Sequence, residues 1–265
     1  MPTMHAKYIL QRLFAAQDYA MMLLNRDIQL EADFFVKIWN NASIRQVIDG
    51  GANSFFKFVN AQPAQVKPSI KYPDLASGDF DSITDESMRL LKESSNQCKI
   101  ILTEDQDETD FTKGLKVLHD FIHSNSTSPK PKSVIVVCES SGRLDQAIGN
   151  LNTLHKHRFL EDSPQTTQVY IMSSENLCWL LPANQRSSIV FEKDDPEFTC
   201  GIIPFVGPTT YISTGLKWDL TPDMVCSFGG LISCNNIVVE KTVEITSNDK
   251  PSIFTVELHP RDYIL

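Results

Sequence analysis

No stretch of this 265-residue chain approaches the roughly 20 consecutive apolar residues that a membrane-spanning helix needs. The longest apolar runs, such as Ala20 to Leu24 and Val134 to Cys138, are far shorter. The N-terminal sequence MPTMHAKYILQRLFAAQDYA has no apolar region followed by a small-residue cleavage site, so a cytoplasmic protein is expected, and the sequons at Asn41 and Asn125 carry no weight. The six cysteines (98, 138, 178, 200, 226 and 234) form no CxxC pair, which excludes a zinc knuckle and a disulfide framework and points to reduced core thiols. Basic charge is also scarce. Against 33 Asp and Glu there are only 24 Lys and Arg, and the net charge of −9 opposes general affinity for nucleic acid or an anionic membrane. The standard nucleotide cradles are missing: there is no GxxxxGK[ST] loop, no GxGxxG after a strand and no HRD with DFG, and no GxSxG elbow supports serine hydrolysis. The segment from Asp105 is no calcium loop, since its sixth position is Asp110 and its twelfth Lys116. His119 and His123 have helical metal spacing but no third ligand, and are read as surface histidines.

What is present is a soluble globular composition, 42% hydrophobic and 22% charged, long enough for one large domain or two ordinary ones. Short apolar runs at Ala20 to Asn25, Gln46 to Asp49, Lys99 to Thr103 and Ser133 to Cys138 predict strands. Helices are predicted from Phe111, Leu115, Leu118 and Ile122, and from Leu144, Ile148, Leu151 and Leu154, at spacings of three and four. NSTSPKPK, within Ser124 to Lys132, reads as an exposed excursion. Beyond a break near Glu161 to Thr167 the pattern changes to short β-rich runs, among them Val169 to Met172, Ser187 to Glu192, Cys200 to Val206, Thr209 to Ser213, Leu231 to Ser233 and Ile253 to Leu258. The expected fold class is α/β, with an N-terminal, largely parallel α/β sheet domain over residues 1–165 and a C-terminal all-β sandwich domain over 166–265.

Four acidic motifs fall at predicted strand ends, where open α/β sheets bind ligands: DGGAN (49–53), GDFDS (78–82), DQDETDFTK (105–113) and GRLDQ (142–146). They would place Asp49, Asp79, Asp81, Asp107, Asp110 and Asp145 around one cleft. So many anions persist together most easily beside a divalent cation, and hard oxygen ligands favour magnesium, which also binds substrate phosphates. If a helix starts near Asp107, then Asp107, Asp110 and Lys113 point in similar directions; capping with an ordinary ion pair is the competing reading. Arg143 is either a phosphate ligand or a solvated first-turn residue, and Asp79 and Asp81 are either metal ligands or caps of SITDESMRL. The glycine pair of DGGAN either admits a ligand to the backbone or makes a tight turn.

These four motifs in order, followed by STGLKWDL (213–220), resemble the thiamin pyrophosphokinase family over nearly the whole chain. The resemblance implies transfer of a pyrophosphoryl group from ATP to the hydroxyethyl arm of thiamin, giving thiamin diphosphate and AMP, with magnesium. It also implies a homodimer with the active site at the subunit interface. By motif, Asp79, Asp81 and Asp107 are the implied magnesium ligands, with Asp49 and Asp110 beside them, and Asp79, Asp81, Asp107, Asp110 and Lys113 are the implied catalytic residues. Asp49, Asn53, Gln106, Arg143, Asp145 and Gln146 are implied to bind substrate or nucleotide. From the second domain, Trp218 is implied to stack on thiamin, with Ser233 and Asn236 lining the site; on sequence alone a partly buried sandwich position is the favoured reading of Trp218. One departure is Glu139, Ser140 and Ser141, where the family has a glycine-rich turn.

Two other functions compete. A magnesium phosphohydrolase would use Asp79 of DFDSI as nucleophile, but such motifs follow a strongly apolar strand and PDLASG is not one. A non-catalytic nucleotide sensor would bind ATP without producing AMP.

Overall fold

In the computed structural model, residues 5–9, 13–14, 17–93, 98–105, 107–124, 130–139, 142–157, 167–192 and 197–257 are described. Strands β1 (His5–Ile9) and β2 (Tyr19–Leu23) come first. Helices and strands then alternate as α1 (Ala32–Asn41), β3 (Ile44–Ile48), α2 (Gly51–Ala61), β4 (Leu75–Gly78), α3 (Asp85–Lys92), β5 (Lys99–Leu102), α4 (Asp110–Ser124), β6 (Ser133–Val137) and α5 (Leu144–His157). The strands β7 (Gln168–Met172), β8 (Asn176–Leu181), β9 (Gln185–Val190), β10 (Phe198–Ile203), β11 (Tyr211–Thr214), β12 (Ser233–Val238), β13 (Thr242–Ser247) and β14 (Ser252–Glu257) follow.

Residues 16–174 form one compact unit around a parallel sheet of order β7-β6-β2-β3-β4-β5. The central strands YAMML and SVIVV are buried at every position, as parallel strands covered on both faces must be. From β2 the chain moves outward through β3, β4 and β5, then returns to β6 on the other side of β2. The order therefore reverses between β2 and β6, and such a reversal opens a crevice at the carboxyl ends of the strands.

Helix α4 begins later than the sequence predicts. Thr109 caps it, accepting a hydrogen bond from the Thr112 amide, and Asp110 is its first residue. The predicted apolar face of α5 is only partly buried: Leu154 is in the core, whereas Leu144 and Ile148 face outward. Polar Asp145, Gln146 and Asn150 turn toward the crevice instead, and Thr153 hydrogen-bonds to Thr112 of α4.

The other unit comprises residues 1–15 and 175–265 and holds a four-stranded sheet of order β1-β9-β13-β11 and a second run of four paired strands, β12-β10-β14-β8. Their inner faces meet in an aromatic core in which Trp179 lies 4.9 Å from Phe254 and 5.4 Å from Tyr8. Two segments thus sit apart from the expected division at 165. Val169 to Met172 is the last of the parallel strands, aligned with β6 along its length. The N-terminal strand β1 pairs in parallel with β9, from His5 beside Arg186 to Ile9 beside Val190. The proposed break near Glu161 to Thr167 and the middle of the 124–132 excursion lie outside the described residues.

Candidate active site

Four strands of the parallel sheet deliver the turns that follow them to the crevice. Leu24, Asn25 and Arg26 follow β2, Asp49 follows β3, Ser82 follows β4, and Cys138 follows β6. With the cap Thr109 and Asp110 at the start of α4, and Asp145, Gln146 and Asn150 of α5, they line a cleft of about 430 Å³.

Asp49, which lines this cleft, and Asp79 and Asp81 each offer a carboxylate oxygen, all within 4.8 Å of one another. Backbone geometry forces this approach. Asp49 adopts a left-handed conformation with φ 45°, and its amide donates to Ser77 O of β4 at 2.9 Å. Gly78 follows directly, and a Cβ there would lie 2.8 Å from Asp49 Cβ. Only glycine lets β4 pass so close to Asp49. Asp79 then accepts from the Asp81 amide in an Asx turn, and Asp49 accepts from the Ser82 amide. An octahedral magnesium ion with bonds of about 2.1 Å needs ligand oxygens roughly 3–4 Å apart, so a small contraction of these hard oxygens fits one.

Asp107 is not in this group. It lies exposed before α4, its amide donating to the Asp105 carboxylate, so the expected alignment of Asp107 with Asp110 and Lys113 on one helix does not form. Asp110 and Lys113 do come together, at 2.8 Å, and the Lys113 ammonium also lies 3.9 Å from Asp79. Lys113 is only 5% exposed. Burial alone would depress its pKa, but the hydrogen bond and charge of Asp110, with the charges of Asp79 and Asp105, outweigh it and raise the value. Lys113 is therefore a fixed cation next to the three carboxylates.

Other predicted residues serve as braces. Asn53 donates to Ser82 O at 2.8 Å and accepts from the Thr84 amide and hydroxyl, holding the loop that carries Asp81. Thr84, not Asp79 or Asp81, caps α3. The glycines of DGGAN face inward: a Cβ on Gly51 would lie 2.4 Å from Leu23 O, and one on Gly50 would meet the Asn25 side chain. Their smallness seats α2 against the end of β2.

Arg143 and Asp145 are both exposed and form a two-point ion pair with each other. That pairing lowers the Asp145 pKa below the usual carboxylate range. Gln106 lies outside the described residues, as do Ser140 and Ser141. Glu139 is buried, accepting from the Ser174 amide and hydroxyl and so tying the end of β6 to that of β7.

The sequence reading missed Arg26, Cys138 and Asn150. Arg26 had a signal, since it follows an apolar strand just as the chosen motifs do. Cys138 is no nucleophile at neutral pH: burial, resisted by the Arg26 charge, pushes its thiol up to about 11.

In the second unit Trp218 is 55% exposed, with the Lys217 ammonium 4.7 Å from its ring centroid. Asn236, by contrast, is buried. Its side chain accepts from the amides of Trp218 and Ile237 and donates to Trp218 O and Ser233 Oγ.

Residues 35–166 match the family described as thiamin pyrophosphokinase, catalytic domain, and residues 186–251 the thiamin pyrophosphokinase vitamin B1 binding domain. Thiamine pyrophosphokinase 1 of Oryza sativa subsp. japonica is 34% identical over 254 residues, covering 92% of this chain and 89% of that protein. Thiamine pyrophosphokinase 3 of the same plant is 32% identical, with coverages of 91% and 87%. Among solved structures, yeast thiamin pyrophosphokinase superposes with a TM-score of 0.80 at 22% identity, over 97% of this chain and 92% of that one. The Candida albicans enzyme gives 0.77 at 23%, over 97% and 94%, and both likenesses speak to the fold. Because both domain families match in order along one chain, and the rice relatives exceed 30% identity over nine tenths of it, the chain belongs to the thiamin pyrophosphokinase family.

Proposed function

We propose for this chain the reaction of its family: transfer of the pyrophosphoryl group of ATP to the hydroxyl of thiamin, giving thiamin diphosphate and AMP. The observation that carries this reading is the convergence of Asp49, Asp79 and Asp81 with the buried Lys113, within the stretch that matches the catalytic family.

The reaction is attack by a primary alcohol on the β-phosphorus of ATP, with AMP as leaving group. Its transition state spreads negative charge over phosphoryl oxygens, so catalysis rests on positioning and on fixed positive charge. Asp49, Asp79 and Asp81 would hold magnesium, which when bound neutralises phosphate charge and orients the chain of phosphates. In this reading Asp49, expected beside the cluster, would be the third ligand. Lys113, anchored by Asp110, presents a cation that needs no reorientation as charge develops. Asp81, on the exposed side of the cluster, is also placed to orient the thiamin hydroxyl.

The second unit would supply the thiamin wall. Trp218 presents its ring to solvent, and Asn236 fixes the backbone on both sides of it. A homodimer would bring this wall to the partner's cleft, a reading supported by the exposed Met224, Val225, Phe228 and Leu231 in the same region of sequence.

Incubation with ATP, magnesium and thiamin, followed by product separation, tests the reading. Thiamin diphosphate and AMP are expected, with neither formed after chelation of the metal, and turnover is expected to fall by at least about 100-fold in Asp79→Asn. ADP or free phosphate in their place would indicate a kinase or hydrolase, and ATP binding without products a sensor.

A further inference from the structure

We infer that Arg26, a residue outside every motif identified in the sequence, binds the phosphate chain of the nucleotide; this rests on the pyrophosphokinase reading above. Three cations belong to the motifs and turns at this end of the sheet, and two are already matched by carboxylates. Lys113 is held by Asp110 and Asp79, and Arg143 is closed on Asp145. Arg26 differs. Its guanidinium donates at 2.6 Å to the neutral side-chain oxygen of Gln146, and among the described residues it has no carboxylate partner.

That leaves a full positive charge and most of five N–H donors in a half-buried position lining the cleft. A planar guanidinium so placed matches the paired oxygens of a phosphate. Its orientation is fixed from two sides. Gln146 holds one nitrogen, and Gly142 lies so close that a Cβ there would sit 2.9 Å from Arg26 Nη1.

Position in the sheet supports the assignment. Arg26 follows β2, at the point where strand order reverses, and Asp49 and Asp79 follow the next two strands. Adjacent strands lie about 4.8 Å apart, so the arginine is one strand from Asp49 and two from Asp79, a separation of roughly 5–10 Å. A polyphosphate spans that distance. One part can meet the carboxylate cluster through magnesium while another meets Arg26 directly.

The test is titration of the full-length chain with magnesium ATP in the absence of thiamin, together with steady-state kinetics, for the parent, Arg26→Ala and Arg26→Lys. Loss of one charged, two-point contact is expected to weaken ATP binding and raise its KM by about 10- to 100-fold in Arg26→Ala. The KM for thiamin is expected to stay unchanged, and Arg26→Lys to recover part of the loss. Adenosine, which lacks phosphates, is expected to bind parent and variant alike. Equal ATP affinity in parent and a folded Arg26→Ala, verified by its melting curve, would overturn the assignment while leaving the enzyme reading intact. Failure of the parent itself to bind ATP would overturn that reading, and the role of Arg26 with it.

Discussion

Asn236 has no hydrogen-bonding capacity left for a ligand. Its oxygen accepts twice and its nitrogen donates twice, all within its own unit, so in the proposed thiamin site it would act only through Trp218. Replacing it by alanine strands buried backbone groups, and Asn236→Ala is expected to lose about 1–3 kcal/mol of stability, read from denaturant unfolding. A stability equal to the parent's would show that the carboxamide is not holding the turn. Lys113 makes a prediction in pH. Its pKa in the folded chain is raised above the ordinary 10.5, so its stabilisation is fully present below the unfolded value and lost as pH rises through the higher folded one. The stability difference between the parent and Lys113→Met is therefore expected to be level from pH 7 to about 10 and to shrink above 10.5. A difference that grew over that range would reverse the sign of the assignment. Which arginine remains unmatched was not legible in the sequence: Arg143 stands beside a carboxylate two residues on, and the side chain facing Arg26 comes from 120 residues away.

At the scale of elements, the sequence revealed those whose packing is written in side-chain bulk. YAMML and SVIVV could only be buried strands, and the apolar spacing of α4 shows plainly in Phe111, Leu115 and Leu118. Strand β4 was illegible because its sequence is LASG. It is fully buried, yet small residues are required where it passes Asp49, and small residues carry no strand signal. The start of α2 works in the same way. Gly51 stands against the Leu23 carbonyl, so Gly51→Ala is expected to lose about 1–3 kcal/mol through overpacking. Gly149, in the middle of α5, is the contrast. Its nearest neighbour to an added Cβ, Thr109 Cγ2, is 4.0 Å away, and Gly149→Ala is expected to gain up to about 1 kcal/mol from helix propensity. Thermal melts of the two variants check both, and equal shifts would contradict this account of the close approach.

At the scale of the whole molecule, the proposed homodimer predicts a sedimentation mass near twice the chain's 29.9 kDa at working concentration. A mass near that of one chain would count against a site shared between subunits. Chain division shows most clearly what lay beyond the sequence. The N-terminal strand joins residues some 180 positions later, and β7 closes the parallel sheet although its apolar pattern suits either domain. No local pattern records such pairings, because a strand's hydrogen-bonding edge accepts any partner that the rest of the fold supplies. By itself the sequence determined the alternation of helices and strands, the absence of a membrane-spanning apolar run, and the order of the acidic motifs, since each depends on residues close together in the chain. Tertiary structure decided which carboxylates share an ion-sized space, that Asp49 stands there and Asp107 does not, and that Arg26 keeps its charge unmatched. These depend on strand register, on a glycine's missing Cβ and on side chains brought together from distant segments.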